Sequence, residues 1–319
     1  MASIATLTLN PSIDAASEAE NVRHTHKTRT DNERFDPGGG GINVARVLAR
    51  LGSDVEAVYL AGGTTGPVLT GLLDRAGLRH RPIPISGDTR ISLAVLERSS
   101  GKEYRFVPQG PEVSEAECAQ CLEVVRRLGC SWLILSGSLP RGLPANVYAS
   151  LIDIAAERGI KTIIDTSGPA LKATLDHGGA FLVKPSLGEL EQLVGRPLRS
   201  KDALHAAARH IVDTGGAQVL VVSMGHEGAL LVQADGESLA LPAIPVEARS
   251  AVGAGDSFVA AMTHGLVTGR TIEDSFRLGI AAGAATVLTP GTDLCHPQDV
   301  ARLAAQIGVH EFVVESSTR

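Results

Sequence analysis

The stretch S-A-V-G-A-G-D-S at positions 250–257 places a carboxylate, Asp256, directly after two glycines and directly ahead of an apolar run. Gly253 and Gly255 permit a turn closed to residues that carry a Cβ, and apolar residues at helical spacing from position 258 onward predict a helix with Asp256 in its first turn. One interpretation is that Asp256 caps this helix. The other is that the amides of Gly253, Ala254 and Gly255 bind an anion while Asp256 takes a proton.

A second candidate is the segment D-P-G-G-G-G-I-N-V-A-R, in which Gly38–Gly41 precede a predicted helix. Four consecutive glycines cost backbone entropy, and a packed turn that needs one or two would not favour all four. We therefore predict that the backbone here approaches a ligand closely, with Asn43 binding hydroxyls, against the alternative of a flexible loop. Asp14, just beyond the first predicted strand, is suited to binding sugar hydroxyls but is equally suited to a turn.

Two further loops have weaker signals. L-S-G-S-L-P-R-G at positions 135–142 ends a predicted buried strand, which is where ligands bind in open α/β sheets. V-S-M-G-H-E-G-A-L at 222–230 is compatible with nucleotide contacts or with a plain hairpin turn. Neither the P-loop pattern nor G-x-G-x-x-G occurs, so phosphate binding has to rest on these other loops.

Composition restricts the class of protein. The chain has 319 residues, 44% of them hydrophobic, and a net charge of −6 with scattered basic residues, which argues against a nucleic-acid surface. Four cysteines, Cys118, Cys121, Cys130 and Cys295, lack zinc or disulfide spacing, and the first pair fits an ordinary helix. No window is long enough to span a membrane, so we expect a cytoplasmic protein.

Short aliphatic runs alternate with helical segments along most of the chain, which predicts an α/β fold with a mostly parallel sheet covered on both faces. Residues 15–35 and 88–108 interrupt this pattern with polar, strand-like alternation, and S-S-G-K-E at 99–103 is a hairpin signal. We predict a small β-sheet that forms a lid over a site, a dimer contact, or both. The expected organisation is one domain, 1–319, that carries this lid.

Taken in order, G-G-G-G-I-N-V-A, S-G-S-L-P, I-I-D-T-S-G and V-G-A-G-D-S resemble the ribokinase-like (PfkB) family of carbohydrate kinases, and the resemblance covers essentially the whole chain. It implies a three-layer α/β/α domain with a β-sheet lid. It also implies that Asp256 is the base that deprotonates a sugar hydroxyl for attack on the γ-phosphoryl group of ATP, with the 253–255 amides as anion hole. Phosphoryl transfer depends chiefly on positioning and charge neutralisation, which a glycine turn at a helix N-terminus supplies.

The same resemblance assigns the remaining site residues. Sugar-phosphate contacts would come from Asp14, Lys27, Gly38, Gly39, Asn43, Arg90 and Ser138, with Lys27 and Arg90 on the phosphate. Nucleotide contacts would come from Lys184, Ser186, Ser223, Gly225, Gly228 and Gly283. Glu189 would organise Mg²⁺ through water, although Ser186 stands where the family usually has asparagine, and loops near 249–251 and 285–293 bind K⁺ in some members.

The motifs are most similar to members that phosphorylate the C1 hydroxyl of fructose 6-phosphate, and a homodimer through the lid is expected. The nearest alternatives act on fructose 1-phosphate or tagatose 6-phosphate. Those relatives usually carry lysine inside the glycine run, where this chain has Gly40. A degenerate kinase that senses sugar phosphate is a further alternative, disfavoured by the presence of Asp256, Gly253, Gly255 and Glu189.

Overall fold

The computed structural model describes residues 3–308. Its main sheet has nine strands in the order β13-β12-β11-β10-β9-β8-β1-β4-β5. All neighbouring strands of this sheet are parallel except the two pairs that involve β12, which are antiparallel. The strands are β1 Ile4–Thr8, β4 Val55–Gly62, β5 His80–Ile85, β8 Trp132–Ser136, β9 Lys161–Asp165, β10 Leu182–Val183, β11 Val219–Ser223, β12 Ala229–Gln233 and β13 Ser238–Leu241.

Helices cover both faces of this sheet. They are α1 Gly40–Arg50, α2 Gly66–Arg75, α3 Glu115–Arg126, α4 Val147–Ala156, α5 Gly168–His177, α6 Leu187–Val194, α7 Lys201–Asp213, α8 Ala254–Val267, α9 Ile272–Val287 and α10 Pro297–Gln306. The pleat of β8 divides its side chains between two cores: Ile134 packs with α1 and α8, and Leu133 packs with α4. The predicted three-layer α/β/α arrangement is confirmed.

A separate four-stranded sheet has the order β3-β2-β6-β7, with β2 Ser12–Ala19, β3 Asp31–Gly38, β6 Arg90–Glu97 and β7 Lys102–Phe106. Its strands fall in the two polar segments singled out by the sequence, and Gly101, with a φ of 68°, lies in the turn of the predicted hairpin. The strand-like reading of 15–35 is wrong for positions 20–30, which form a loop. That loop is almost entirely polar and lacks the alternating apolar residues that would bury one face of a strand.

The C-x-x-C pair lies in α3, as predicted, and the four cysteines are free thiols. Burial raises the pKa of Cys121 to about 12, so this thiol is not a nucleophile. Between residues 3 and 308, no helix combines the length and the apolarity that crossing a bilayer requires.

Candidate active site

The turn at positions 253–256, where α8 begins, is built around a glycine in left-handed conformation. Gly253 has a φ of 76° and a ψ of 1° at the N-cap of α8, which places Asp256 at the third helical position. The N-cap residue is Gly253, which has no side chain, so Asp256 lies inside the first turn and does not occupy the capping position itself. The first turn leaves its amides without intrahelical acceptors, although Ala254 N donates weakly, at 3.4 Å, to Ala251 O.

Asp256 is held by a residue from the other end of the chain. Asn43 Nδ2 on α1 donates to Asp256 Oδ2 at 2.9 Å. Burial, followed by the nearby charge of Asp165, raises the pKa of Asp256 to about 7, and the hydrogen bond from Asn43 opposes that rise. A carboxylate with a pKa near neutrality is suited to general-base catalysis.

An ion pair lies beneath the same turn. Lys184 Nζ, at the end of β10, is 3.1 Å from Asp165 Oδ1 at the end of β9, and Lys184 is only 4% exposed. Burial would lower the pKa of Lys184, but the carboxylate of Asp165 reverses this and the net pKa is raised, so the lysine is charged. A Cβ added at Gly255 would lie 3.7 Å from Lys184 Nζ, which places this cation beside the proposed anion hole.

The glycine run packs tightly against the protein. A Cβ at Gly38 would lie 2.1 Å from Asp14 Oδ2, one at Gly40 would lie 2.4 Å from Ser136 Oγ, and one at Gly41 would lie 2.5 Å from Thr8 Oγ1. Gly39 is the N-cap of α1 with a φ of 105°. The expectation that packing would not favour all four glycines is therefore wrong, because each position has its own steric reason.

Asp14 projects from β2 against Gly38. Ser12 Oγ donates to Asp14 Oδ1 at 2.6 Å, and burial raises the pKa of Asp14 while this hydrogen bond and the charge of Arg90 oppose the rise. Asp14 also acts electrostatically on Asp256. The structure thus brings Asp14, Gly38, Gly39, Asn43 and Asp256 into one neighbourhood at the carboxyl end of β1.

Two of the three residues predicted to lie near the sugar phosphate come together in the structure, namely Arg90 and Ser138. Arg90 Nη1 donates to Pro108 O and Nη2 to Asn10 O, both at 2.9 Å, and Ser138 Oγ accepts from Asn10 Nδ2 at 3.2 Å. Arg90 and Ser138 line a cleft of about 430 Å³ that also contains Arg141 and no acidic residue. This cleft suits an anion.

Lys27 does not join that cleft. It is exposed in the loop that links β2 to β3, and among residues 3–308 the structure gives its side chain no contact with Arg90 or Ser138. Its role in substrate binding stays a prediction.

Most of the residues predicted to contact the nucleotide lie at or just after the carboxyl ends of β10 and β11. Ser223 ends β11, and the following residues form a short 3₁₀ turn, Gly225–Glu227, before β12, so the hairpin interpretation of this loop is correct. Gly228 has a φ of 105°, and a Cβ there would lie 2.0 Å from Leu241 O, which is a structural requirement. A Cβ at Gly283 would lie 3.5 Å from Ala254 O, an ordinary van der Waals distance, so the packing of α9 on α8 does not by itself require glycine there.

Ser186 and Glu189 form a capping box at the start of α6. Ser186 N donates to Glu189 Oε2 at 2.7 Å, and Glu189 N donates to Ser186 Oγ at 3.3 Å. Asparagine caps helices as well as serine does, so the departure at position 186 leaves the helix start intact. Among the described residues no cluster of three or more histidine, cysteine or acidic side chains could hold a metal by itself. Glu189 supplies a single carboxylate here, and proteins usually bind Mg²⁺ through one or two carboxylates together with substrate phosphates and water.

Three residues of this site escaped the sequence analysis. Asp165 carries the signal of a carboxylate at the end of a buried strand, in I-I-D-T-S-G, but its pairing with Lys184 needs the strand order. Arg46 lies one turn after Asn43 on α1 and donates to Asn43 Oδ1 at 3.3 Å. Arg141 follows S-G-S-L-P directly, and only its position in the cleft distinguishes it from a surface arginine.

A wide, mostly parallel sheet covered by helices, a small second sheet, and a carboxylate in the first turn of a glycine-initiated helix together point to a carbohydrate kinase. The sequence matches the pfkB family of carbohydrate kinases over residues 7–299, and the chain belongs to this family.

Within this family, the chain is similar to phosphofructokinases over nearly its whole length. The chain is 44% identical over 318 residues, 97% of its length and 93% of the relative's, to the ATP-dependent 6-phosphofructokinase isozyme 2 of Mycobacterium tuberculosis. It is 35% identical to a 1-phosphofructokinase of Borreliella burgdorferi, over 97% of this chain and 99% of the relative. The phosphofructokinase-2 of Escherichia coli in complex with fructose 6-phosphate superimposes with a TM-score of 0.89 at 40% identity, covering 96% and 99% of the two chains. The same E. coli enzyme has been solved with potassium, with a TM-score of 0.92.

Proposed function

We propose that this protein transfers the γ-phosphoryl group of ATP to the C1 hydroxyl of fructose 6-phosphate and forms fructose 1,6-bisphosphate. The observation that carries the proposal is Asp256, a partly buried carboxylate with a pKa of about 7 in the first turn of a helix whose N-terminal amides lack intrahelical acceptors. The 6-phosphofructokinases at 40–44% identity support the choice of sugar phosphate.

In this mechanism Asp256 accepts the proton of the C1 hydroxyl as that oxygen attacks phosphorus, and the bond to the ADP oxygen breaks. The 253–255 amides and Lys184 neutralise charge on the transferred group. Asp14 and Asn43 orient the sugar hydroxyls. This connected network also argues against a degenerate kinase, because a protein that only sensed sugar phosphate would not need a buried base.

Mg²⁺ is the divalent ion expected with ATP, and when bound it offsets the charge of the β- and γ-phosphates. Glu189 would hold it through water, with Ser186 fixing Glu189 in place. A K⁺ site near 249–251 and 285–293 is supported by the potassium complex of the E. coli relative and by the contact between these loops, in which Ser250 Oγ donates to Gly291 O at 2.9 Å.

Gly40 favours fructose 6-phosphate over the alternatives. Any side chain there would meet Ser136 Oγ and, at 3.1 Å, the backbone nitrogen of Gly137. The place where fructose 1-phosphate and tagatose 6-phosphate kinases usually carry lysine is therefore closed in this chain. No lysine at position 40 then adds a second cation beside Lys184 at the reacting end of the sugar, and the phosphate is left to Arg90 and Lys27 at the other end.

The test is a panel of sugars with ADP formation as the readout, because fructose 6-phosphate and fructose 1-phosphate give the same bisphosphate. We expect the highest kcat/KM with fructose 6-phosphate. A preference for fructose 1-phosphate, or for tagatose 6-phosphate by more than about tenfold, corresponding to about 1.4 kcal/mol of transition-state binding, would overturn the sugar assignment while leaving the kinase assignment in place. No ADP formation with any sugar phosphate would favour the sensor.

We also propose that the small sheet is both a lid and a dimer interface. One cross-strand row, Phe35, Ala15, Leu93 and Phe106, runs across the four strands, and its three large members are 42–60% exposed. On the opposite face Asp14 and Arg34 line clefts toward the main domain. A second copy of the sheet would cover the apolar row and leave the polar face over the substrate.

The chain offers a matched control for this proposal. Leu93→Asp puts a charge into the row, whereas Val68→Asp puts the same charge on α2, where Val68 is 51% exposed outside the sheet. We expect light scattering to give a monomer for the first variant, with a raised KM for fructose 6-phosphate, and a dimer for the second. A Leu93→Asp protein that stays dimeric would contradict the interface.

A further inference from the structure

Arg46 on α1 is buried between the sugar site and the small sheet. Its Nη1 donates to Asn43 Oδ1 at 3.3 Å and to Pro37 O at 3.1 Å, its Nη2 lies 3.6 Å from Asp36 Oδ1, and its side chain is 10% exposed. We propose that Arg46 is a positioning residue for the catalytic base: by holding the oxygen of the Asn43 amide, it makes the amide nitrogen face Asp256. This inference rests on the proposed role of Asp256.

The orientation matters because the two ends of an amide are nearly equal in shape and opposite in polarity. With Oδ1 bound to Arg46, Nδ2 donates to Asp256 Oδ2 at 2.9 Å and favours the ionised base. A rotated amide would place a lone pair against the carboxylate and favour its protonated form. A guanidinium is suited to this task because it always carries its charge and donates in several directions at once.

Arg46 is in turn held from two sides of the cleft. Asp36 on β3 accepts from Arg34 Nε at 2.8 Å and from Thr292 Oγ1, in the loop after α9, at 2.7 Å. Arg34 Nη2 also donates to Thr292 Oγ1 at 2.9 Å. The small sheet and the loop before α10 therefore converge on Asp36, and through Arg46 and Asn43 on the base.

The charged groups around this path are few. Those that act on Arg46 are Asp36, Arg50, Asp293 and Asp14, and those that act on Asp256 are Asp165, Lys184 and Asp14. Removing the positive charge of Arg46 would shift the pH dependence by electrostatics alone, so that effect has to be separated from the loss of the contact with Asn43. The substitution to lysine does this, because it keeps the charge beside Asp36.

Arg46→Lys is the first test. A single ammonium group cannot satisfy Asp36, the Pro37 carbonyl and Asn43 together, so we expect the acid limb of kcat/KM to move up by about one pH unit. At pH 7 kcat/KM should then fall by about fivefold, with KM for ATP unchanged. Arg50→Lys is the matched control, since Arg50 lies one turn later on α1 and donates to the carbonyls of Leu294 and Cys295. It should leave the limb in place.

A double-mutant cycle tests the route through Asn43. In an Asn43→Leu background, Arg46→Lys should move the limb no further, whereas an equal shift in both backgrounds would overturn the proposal. Asp36→Asn, which loosens the anchor of Arg46, should shift the limb in the same direction and serves if Arg46→Lys folds poorly. No shift in either single variant also overturns it. If Asp256→Asn keeps the parent's limb, the proposed base itself is wrong, and that result is distinct from an unmoved limb in Arg46→Lys.

Discussion

Asp256→Asn removes the proposed base and keeps the size of the side chain beside Asn43. A positioned general base contributes about 10²–10⁴ in rate, so we expect kcat to fall by that factor. KM for ATP should stay within about twofold of the parent, because the 253–255 amides at the start of α8 are unchanged.

The pH profile gives the quantitative form of this prediction. Since burial raises the pKa of Asp256 to about 7, the carboxylate is about one-tenth ionised at pH 6 and about nine-tenths ionised at pH 8. A base acts in its ionised form, so kcat/KM should rise about tenfold between those two values and level off above them. The assay is ADP formation at limiting fructose 6-phosphate, in buffers of constant ionic strength.

The substrate complicates the acid side, because a phosphate monoester has its own second pKa at about 6. The variant separates the two contributions: the residual rate of Asp256→Asn should keep the substrate's titration and lose the limb at about 7. A variant within about fivefold of the parent, or one with the parent's full pH profile, would refute the role of Asp256.

Three other predictions concern the supports of the site. Because the pKa of folded Asp256 lies above its ordinary value of 3.8, the fold loses stability as pH rises from about 4 to about 7. Asp256→Asn should escape this loss, so its free energy of unfolding in urea at pH 8 should exceed the parent's by at most about 4 kcal/mol, and an equal gain at pH 4 would argue against the raised pKa. Gly38→Ala would put a Cβ 2.1 Å from Asp14 Oδ2 and should raise KM for the sugar at least about tenfold more than KM for ATP; equal effects would contradict the contact. Lys184→Met should lower the free energy of unfolding in urea by about 3–5 kcal/mol, because it leaves the carboxylate of Asp165 without its cation. Adding Asp165→Asn should restore most of that free energy, and no recovery would contradict an ionised pair.

The sequence predicted the main fold well where periodicity and burial agree. Continuous aliphatic runs such as that of β8 are typical of strands buried on both faces. The V-G-A-G-D motif correctly predicted Asp256 in the first turn of a helix, although α8 begins at Ala254, before the apolar run. The sequence did not reveal β5, whose Pro82 and Pro84 argue against a strand. The strand is possible because it lies at the edge of the sheet, where a missing N–H leaves no partner unsatisfied.

The site was harder to predict in the places where roles depend on distant neighbours. The glycine run, Asp14, Asn43 and Asp256 were found because their motifs are local. Arg90 donates to carbonyls of two separate loops, and this is visible only once β6 is paired with β2. Ser186 was interpreted as a missing asparagine, although S-x-x-E ahead of an apolar run is itself the signature of a capping box and gives that serine a structural reason.

The hydrogen bond between Asn43 and Asp256 joins residues 213 positions apart. Closing so long a stretch of chain is entropically costly and has to be balanced by contacts that form only when α1 and α8 have both docked. During refolding from urea, helical content should therefore return well before turnover does, since non-local pairing is the slow part of folding. Enzymatic activity in this protein should then report the docking of α8 on α1, and a nascent chain that stops before α8 carries the proposed sugar-binding residues but not the proposed base.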